Sequence, residues 1–553
     1  MSGLTIQDVC METVPQILAP VSLVLCVLFV FCTCFVIPKR LHSISIISRQ
    51  FVPGPTDYSS SAVGCIADVL VWTSRSTHRH LRRNHALCRR LSKELLKTKN
   101  VLQGLPGPPG QVPCFKQLCC VVKRAHMLVK DCCCKHWLLQ VETPAEGKEA
   151  FVELIQDLQF WTCMVQESTY IAVGRIATGE LNDERIEMIL DQMFCTCWRP
   201  DMLKDEVQED SRTLVLKLEK ENKRMLCAFS RCFLTSHQCQ VTLMMQKLSG
   251  EGWGPNDHTN QPLVTGPPPE LLAMFKDRSH GGRDAGNGGI IMDLTWMDRE
   301  YCIKVIFGTN QSEAIIHAGL HHPHIVPLMC AFEDKAKNKT CLVMERMEGN
   351  LKELIEKKMK GTNDAGSPFP LLVAIDIMIQ VAKALQYLHS MKVGHCNMKS
   401  KNILWRHDQA LIEGLGEAYI LKVAEFGAAV TSGERHQNRS QMRGTTQWQG
   451  SEMYRPSEPG CDQMRYLMMA DIFNLGIVFY EVLTGRHPYV ETLQERMLND
   501  PTPGPLPDSL PPYLKFCLWS CCDLDPWRRP SSQQICRMLL YAQKDIVLGG
   551  YDL

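Results

Sequence analysis

Hydrophobic and polar positions change their period several times along this chain, and each change marks a different kind of element. The first apolar run, Ile17 to Ile37, carries no charge over 21 positions and ends at Pro38-Lys39-Arg40. That length spans a bilayer as a helix. Asp8 and Glu12 precede the run and Lys39-Arg40 follow it, which places residues 1–16 outside and the remainder of the chain on the cytoplasmic side. A secretory signal peptide needs a basic start and a small-residue cleavage site, and neither is present. The competing reading is an apolar first helix of the next domain, with the chain cytoplasmic and attached to a membrane only peripherally.

Residues 55–200 switch to the helical period. Leu81, Cys88, Leu91, Leu95 and Leu102 recur on one face, and the stretch Gly104-Leu-Pro-Gly-Pro-Pro-Gly110 must end that helix. A second helix runs from about Phe115 to Cys134, with further helices near 148–166 and 183–194, which together predict a four-helix bundle. Residues 201–249 read as a charged helix or brace. A Gly/Pro-rich linker follows over 250–280, and short strand-like runs then precede longer helices over 281–548. The whole is an α+β chain: a mixed C-terminal domain preceded by an all-α bundle and an apolar N-terminal helix.

Composition changes this picture in two places. Net charge is +1, so basic surface must be local. It concentrates around the first bundle helix in Arg75, Arg79, Arg82, Arg83, Arg89, Arg90, Lys93, Lys97 and Lys99, opposed by Glu94 alone. Such a face is either simply solvated or attracted to anionic lipid head groups, at about 1 kcal/mol per cation. Nothing interleaves aromatics with it, so nucleic acid is not an expected partner. The 27 cysteines include the run Cys132-Cys133-Cys134, which suits reduced, buried thiols rather than a disulfide frame. Their spacing fits no zinc site.

The chemistry lies in the C-terminal domain, as a series of motifs in fixed order. Gly286-Asn-Gly-Gly289 precedes Ile290-Ile291. Lys304 ends Tyr-Cys-Ile-Lys, and Glu313 lies ahead of His322-Pro-His-Ile. Cys341-Leu-Val-Met-Glu-Arg-Met347 is an apolar strand with a polar exit. Then come His395-Cys-Asn-Met-Lys-Ser-Lys-Asn402, Ala424-Glu-Phe-Gly427, Gly450-Ser-Glu452, Asp471-Ile-Phe-Asn-Leu-Gly476 and Trp527-Arg-Arg-Pro530. The order and spacing resemble the protein kinases, and the phrasing around Pro370–Gln380 resembles the plant-type tyrosine-kinase-like branch.

That resemblance implies a two-lobed kinase fold and assigns roles. Gly286, Gly289 and Ile291 would cover a nucleotide, and Lys304 would grip its phosphates, paired with Glu313. Met344 would be the gatekeeper, with Glu345 and Met347 offering backbone groups to adenine. Asn402 and Glu425 would hold magnesium, and ATP is the implied cofactor. His395, Phe426, Gly427, Glu452, Asp471 and Arg529 would be structural, with Glu452 paired to Arg529. Lys399 belongs to the catalytic loop. Asn397 stands where the family has the aspartate that accepts the substrate proton, and an amide has no basic lone pair to replace it. Glu425 stands for the metal-binding aspartate. It is one methylene longer, which weakens the octahedral geometry that magnesium demands.

The helical half together with this domain resembles the plant mixed lineage kinase domain-like proteins, which carry a HeLo-type helical domain. The resemblance implies a membrane-associated pseudokinase that signals by conformation, in immune or cell-death signalling. An upstream kinase would act on the 428–450 loop, and membrane lipid would be a partner. The alternative is an active or weakly active membrane-anchored Ser/Thr kinase, because phosphoryl transfer rests largely on positioning.

Overall fold

The computed structural model describes residues 58–73, 81–106, 112–134, 143–172, 202–227, 244–245, 283–284, 289–296, 299–307, 312–334, 338–360, 367–408, 418–432, 463–488 and 504–550. The apolar run 17–37, the helix expected at 183–194, the linker 250–280, Gly286 and Glu452 lie outside them.

The helical region comprises α1 (Tyr58–Thr73), α2 (His85–Gln103), α3 (Cys114–Cys132), α4 (Pro144–Ala172) and α5 (Lys204–Cys227). The apolar spacing of α2 buries Leu87, Leu91 and Leu95 completely; α2 packs against α3 and α4, which bury Leu118, Ala125 and Val129 and Phe151, Ile155 and Leu158. Helix α2 stops where the Gly/Pro stretch begins, and the Gly104 amide donates to the carbonyls of Asn100 and Val101. Its other end lacks a local cap. Asn84 is left-handed and makes no capping bond; instead Asp210 of α5 accepts from the amides of Ala86 and Leu87 at 2.8–3.0 Å. A carboxylate against the positive end of a helix dipole is favourable. The charged brace is thereby tied to the region it follows.

The expected basic face of α2 is less free than the sequence suggested. Arg83 is buried, Arg89 pairs with Glu209 of α5, and Glu94, itself buried, holds both Arg90 and Lys97. Glu94 belongs to α2 itself, whereas Glu209 is brought by tertiary packing, because α5 runs along α2. Arg75 and Arg79 lie outside the described residues.

The C-terminal region has the two lobes expected. Its first is an antiparallel sheet in the order β1-β2-β3-β5-β4, built from β1 (Arg283–Asp284), β2 (Ile290–Trp296), β3 (Arg299–Phe307), β4 (Leu328–Asp334) and β5 (Lys339–Glu345). Helix α6 (Ser312–Ala318) packs on it through Ala314 and Ala318. The second lobe is mainly helical: α7 (Leu351–Met359), α8 (Leu371–Ser390), α9 (Gln463–Thr484), α10 (Pro512–Cys521) and α11 (Ser532–Asp545). Short strands β6 (Gly349–Asn350), β8 (Ile403–His407) and β9 (Tyr419–Val423) form one sheet on it, and β7 (Val393–Gly394) pairs with β10 (Val430–Thr431). Helices α8 and α9 are long and apolar enough to cross a membrane, but 72% and 94% of those windows are buried within the protein. They are apolar all round because they are core.

Several polar contacts join the helical region to the C-terminal domain. Lys383 of α8 reaches Glu153 at 2.7 Å and Asp157 at 3.1 Å, both on α4. Glu153 also meets the His324 ring at 3.1 Å, and Arg124 of α3 meets Asp408 at 3.0 Å and Asp376 at 3.7 Å.

Candidate functional site

The site is assembled where β3, α6 and the loop after β9 converge. In the strand register, Lys304 lies between Ile291 on β2 and Leu342 on β5. This row fixes where its side chain leaves the sheet. Lys304 Nζ donates to both carboxylate oxygens of Glu313, at 2.7 and 2.9 Å, and also to Glu425. One ammonium therefore faces two carboxylates, and Lys304 and Glu313 are buried. Burial alone would lower the lysine, but Glu313 and Glu425 outweigh it and raise its pKa. For Glu313, burial and the neighbouring Glu425 prevail over Lys304, so its pKa is raised. A single cation cannot compensate two desolvated carboxylates fully.

Gly427 permits this crowding. A Cβ there would lie 3.1 Å from Glu313 Oε2 and 3.7 Å from Glu425 Oε1. Glu425 has φ +73°, a conformation costly for a residue with a side chain. It turns the glutamate toward Lys304.

Below the triad is a column of rings. Phe426 is buried between the His317 ring at 4.8 Å and the His395 ring at 5.3 Å. His317 Nε2 donates to the Val326 carbonyl at 2.6 Å, since a carbonyl can only accept, and burial lowers the ring's pKa to about 4. His395 Nε2 likewise sits 3.0 Å from the Ala424 carbonyl, with burial lowering its pKa. The column rests on Asp471 of α9, which accepts from the amides of His395 at 2.7 Å and Cys396 at 2.8 Å. Cys396 is left-handed, with φ +58°.

The catalytic-loop residues are held by this anchor. The Asn397 amide donates to His395 Nδ1 at 3.2 Å, and its carbonyl accepts from Asn402 Nδ2 at 2.8 Å. Asn402 in turn gives its carbonyl to the Ala424 amide at 2.9 Å. Lys399 is half-buried, and burial and Lys401 lower its pKa against the pull of Glu425. Met344 lies in the first-lobe core with Ala314, Val326 and Leu328. The Glu345 carboxylate pairs with Lys422 at 2.6 Å and Arg406 at 3.4 Å, and its carbonyl accepts a weak contact from the Cys302 thiol at 3.8 Å; Cys302 lies one residue from its cross-strand neighbour Tyr301. Arg529 is buried, donating to the carbonyls of Asp523 and Met469 and lying over the Phe473 ring.

Lys304, Asn402 and Glu425 are the residues that would hold the phosphates and magnesium of ATP, and a lysine with two acids is a set that suits them. In this arrangement Lys304 and Glu425 are paired with each other, so a bound metal and triphosphate would take over that pairing. Asn397, at the expected base position, is an amide.

Several contacts carried no sequence motif: His317 in the ring column, Asp210 at α2, and the Lys383 cluster. Lys383 had one signal, a lone cation in the apolar helix Val381-Ala-Lys-Ala-Leu385.

Residues 297–540 match the protein kinase domain family, whose members generally bind ATP and magnesium. A light-sensor protein kinase of Ceratodon purpureus is 25% identical over 474 residues, covering 80% of this chain and 34% of its own length. Mitogen-activated protein kinase kinase kinase 7 of Homo sapiens is 26% identical over 275 residues, covering 47% of this chain and 40% of its own. The chain thus spans well under half of the curated relatives it matches. Among solved structures, the AtMLKL3 tetramer determined by cryo-EM aligns with a TM-score of 0.62 at 17% identity, covering 90% of each chain. That likeness concerns the fold of both halves. The C-terminal half of this chain therefore carries a protein-kinase fold, preceded by a helical region.

Proposed function

We propose that this chain is a membrane-associated pseudokinase that works as a conformational signalling switch, with the helical region as its output. The observation that carries the reading is the triad: Glu425 neutralises Lys304 where a kinase needs that lysine for phosphate, while Asn397 leaves no base. Among the described residues, the ring column and the Asp471 anchor keep the frame of the domain, which a switch needs whether or not chemistry remains. The Lys383 cluster gives the domain a grip on the helical region. Phosphorylation of the 428–450 loop by another kinase would supply the signal, as added charge biasing one lobe arrangement. Immune or cell-death signalling is the context in which such a switch would serve. Arg82 and Lys93, exposed on the α2 side, would contribute to contact with anionic lipid.

The intact Lys304–Glu313 pair and the placement of Asn402 favour a second reading, a slow active kinase. Nucleotide-dependent thermal stabilisation, with and without magnesium, run beside a phosphotransfer assay separates the two. The switch predicts no transfer. Magnesium-dependent transfer abolished by Lys304→Ala sinks it.

A further inference from the structure

The first turn of α2 and the last turn of α3 bring two cysteines together. The Cys88 amide donates to the Asn84 carbonyl at 2.9 Å, which sets Cys88 in that first turn. The carbonyl of Cys132, the last residue of α3, accepts from the amides of Arg82 at 2.9 Å and Arg83 at 3.3 Å. This backbone clamp holds the end of α3 against the start of α2. The Cys88 and Cys132 thiols are hydrogen-bonded to each other, and both are free and completely buried.

A buried structural thiol needs only apolar neighbours. Cys132 has polar ones. Asn84 Nδ2 donates to its sulfur at 3.9 Å. The charge of Arg83 also acts on it, from a side chain whose Nε and Nη1 are buried without a hydrogen-bond partner in a residue only 8% exposed. A guanidinium left in that state is costly unless a negative charge forms beside it. The thiolate of Cys132 is such a charge. The Cys88 hydrogen bond, with Arg83 and Asn84, holds the Cys132 thiol below its usual value although burial pushes it up. Burial raises Cys88, the adjacent Cys133, and Cys119 and Cys120 on the same helix. Cys132 is therefore the nucleophile of this group.

A small oxidant has a place to approach. A cavity of about 10 Å³, room for one molecule the size of water, is lined by Arg82, Arg83 and Asn84. Arg82 is exposed, so the cavity lies near the surface.

The structure assigns to Cys132 and Cys88 the roles of a peroxide-reactive thiol and its resolving partner, a redox site that ties α2 to α3 when oxidised. The substrate is a small hydroperoxide, with hydrogen peroxide as the smallest. The Cys132 sulfur attacks one peroxide oxygen and the O–O bond breaks. The other oxygen leaves as hydroxide and takes the Cys132 proton, giving water. The Cys88 sulfur then attacks the sulfenic acid: an S–S bond forms, the S–O bond breaks, and the departing hydroxyl takes the Cys88 proton as a second water. Two thiols are oxidised and one peroxide is reduced. The product staples two helices that otherwise meet only by packing.

The test treats the full chain with an equimolar amount of hydrogen peroxide, blocks remaining thiols with iodoacetamide and digests without reductant. Mass spectrometry finds the Cys88 and Cys132 peptides joined, and dithiothreitol separates them. In Cys88→Ser the Cys132 sulfenic acid persists and is trapped by dimedone. In Cys132→Ser neither the crosslink nor a dimedone adduct at Cys88 forms. Arg83→Ala slows crosslinking about tenfold, and Arg83→Lys, which keeps the charge, restores part of the rate. The crosslink is read on the unaltered chain, so the outcome holds whether or not a variant folds. The inference is overturned if the two peptides stay unlinked, if peroxide modifies Cys133 or Cys134 first, or if the bond joins two chains on a non-reducing gel. A folded Arg83→Ala chain that crosslinks at the parent rate overturns it as well.

Discussion

Two clusters in this molecule have the same inventory, one lysine and two carboxylates, and use it differently. Lys304, Glu313 and Glu425 all belong to the C-terminal region and meet inside one domain. Lys383, Glu153 and Asp157 join two regions, with partners more than 220 residues apart in the chain. In the second cluster the His324 ring also approaches Glu153. Lys383 and His324 hold Glu153 well below the usual carboxylate range although burial pushes it up, while burial and Glu153 raise Asp157. In the first cluster Glu313 is raised instead, by burial and by Glu425 against Lys304. The lesson is that a buried cation can serve either to close a site or to clasp two regions, depending on where its second carboxylate comes from.

The largest test of this comparison removes the cation of the clasp. Lys383→Ala leaves Glu153 and Asp157 buried beside one another, and stability to urea falls by about 3–5 kcal/mol. Removing Glu153 and Asp157 together with Lys383 recovers part of that loss, which a merely structural lysine would not show. A smaller response would mean that water already reaches the clasp.

Glu481 shows what a buried carboxylate does when burial outweighs its cations. Its pKa is pushed from 4.5 to about 7, with Lys352 lowering it only in part. The folded state therefore holds this proton more tightly than the unfolded chain does. Stability is highest below about pH 4.5 as far as this group is concerned, and it falls as pH rises toward 7, by about 3 kcal/mol in total. Glu481→Gln flattens that part of the stability profile, measured by denaturation at a series of pH values.

The closing role of Glu425 is tested by its removal. Glu425→Ala frees one face of Lys304, and affinity for ATP rises at least about tenfold, a change of about 1.4 kcal/mol, by calorimetry. Unchanged affinity would mean that the triad does not govern access. Asp210 is the contrasting case, a buried carboxylate compensated by backbone amides rather than a lysine. Asp210→Ala costs about 1 kcal/mol, read from thermal unfolding, and frays the start of α2.

Much of the first cluster was legible beforehand. Lys304, Glu313, His395, Asn402 and Glu425 sit at spacings that only one fold satisfies, because each comes from an element whose place in the sheet or loop is fixed. Asp471 was legible for the same reason. The closure was not legible, because it depends on the left-handed turn at Glu425 and the missing Cβ at Gly427, which together set where one carboxylate points. The partner of the Glu345 carbonyl escaped notice too, since a thiol from the next strand has no motif.

The sequence by itself determined the helical period of the first half, the two-lobed domain of the second, and the amide at Asn397. These follow from local periodicity and from residue identity. Only the tertiary structure decided which charges are spent. It buried Arg83, gave Arg89 to Glu209, capped α2 with Asp210 and set Lys383 between two acids of a distant helix. Electrostatic pairing in a desolvated interior depends on distances of a few ångströms between elements. No period along a chain encodes those distances; packing sets them.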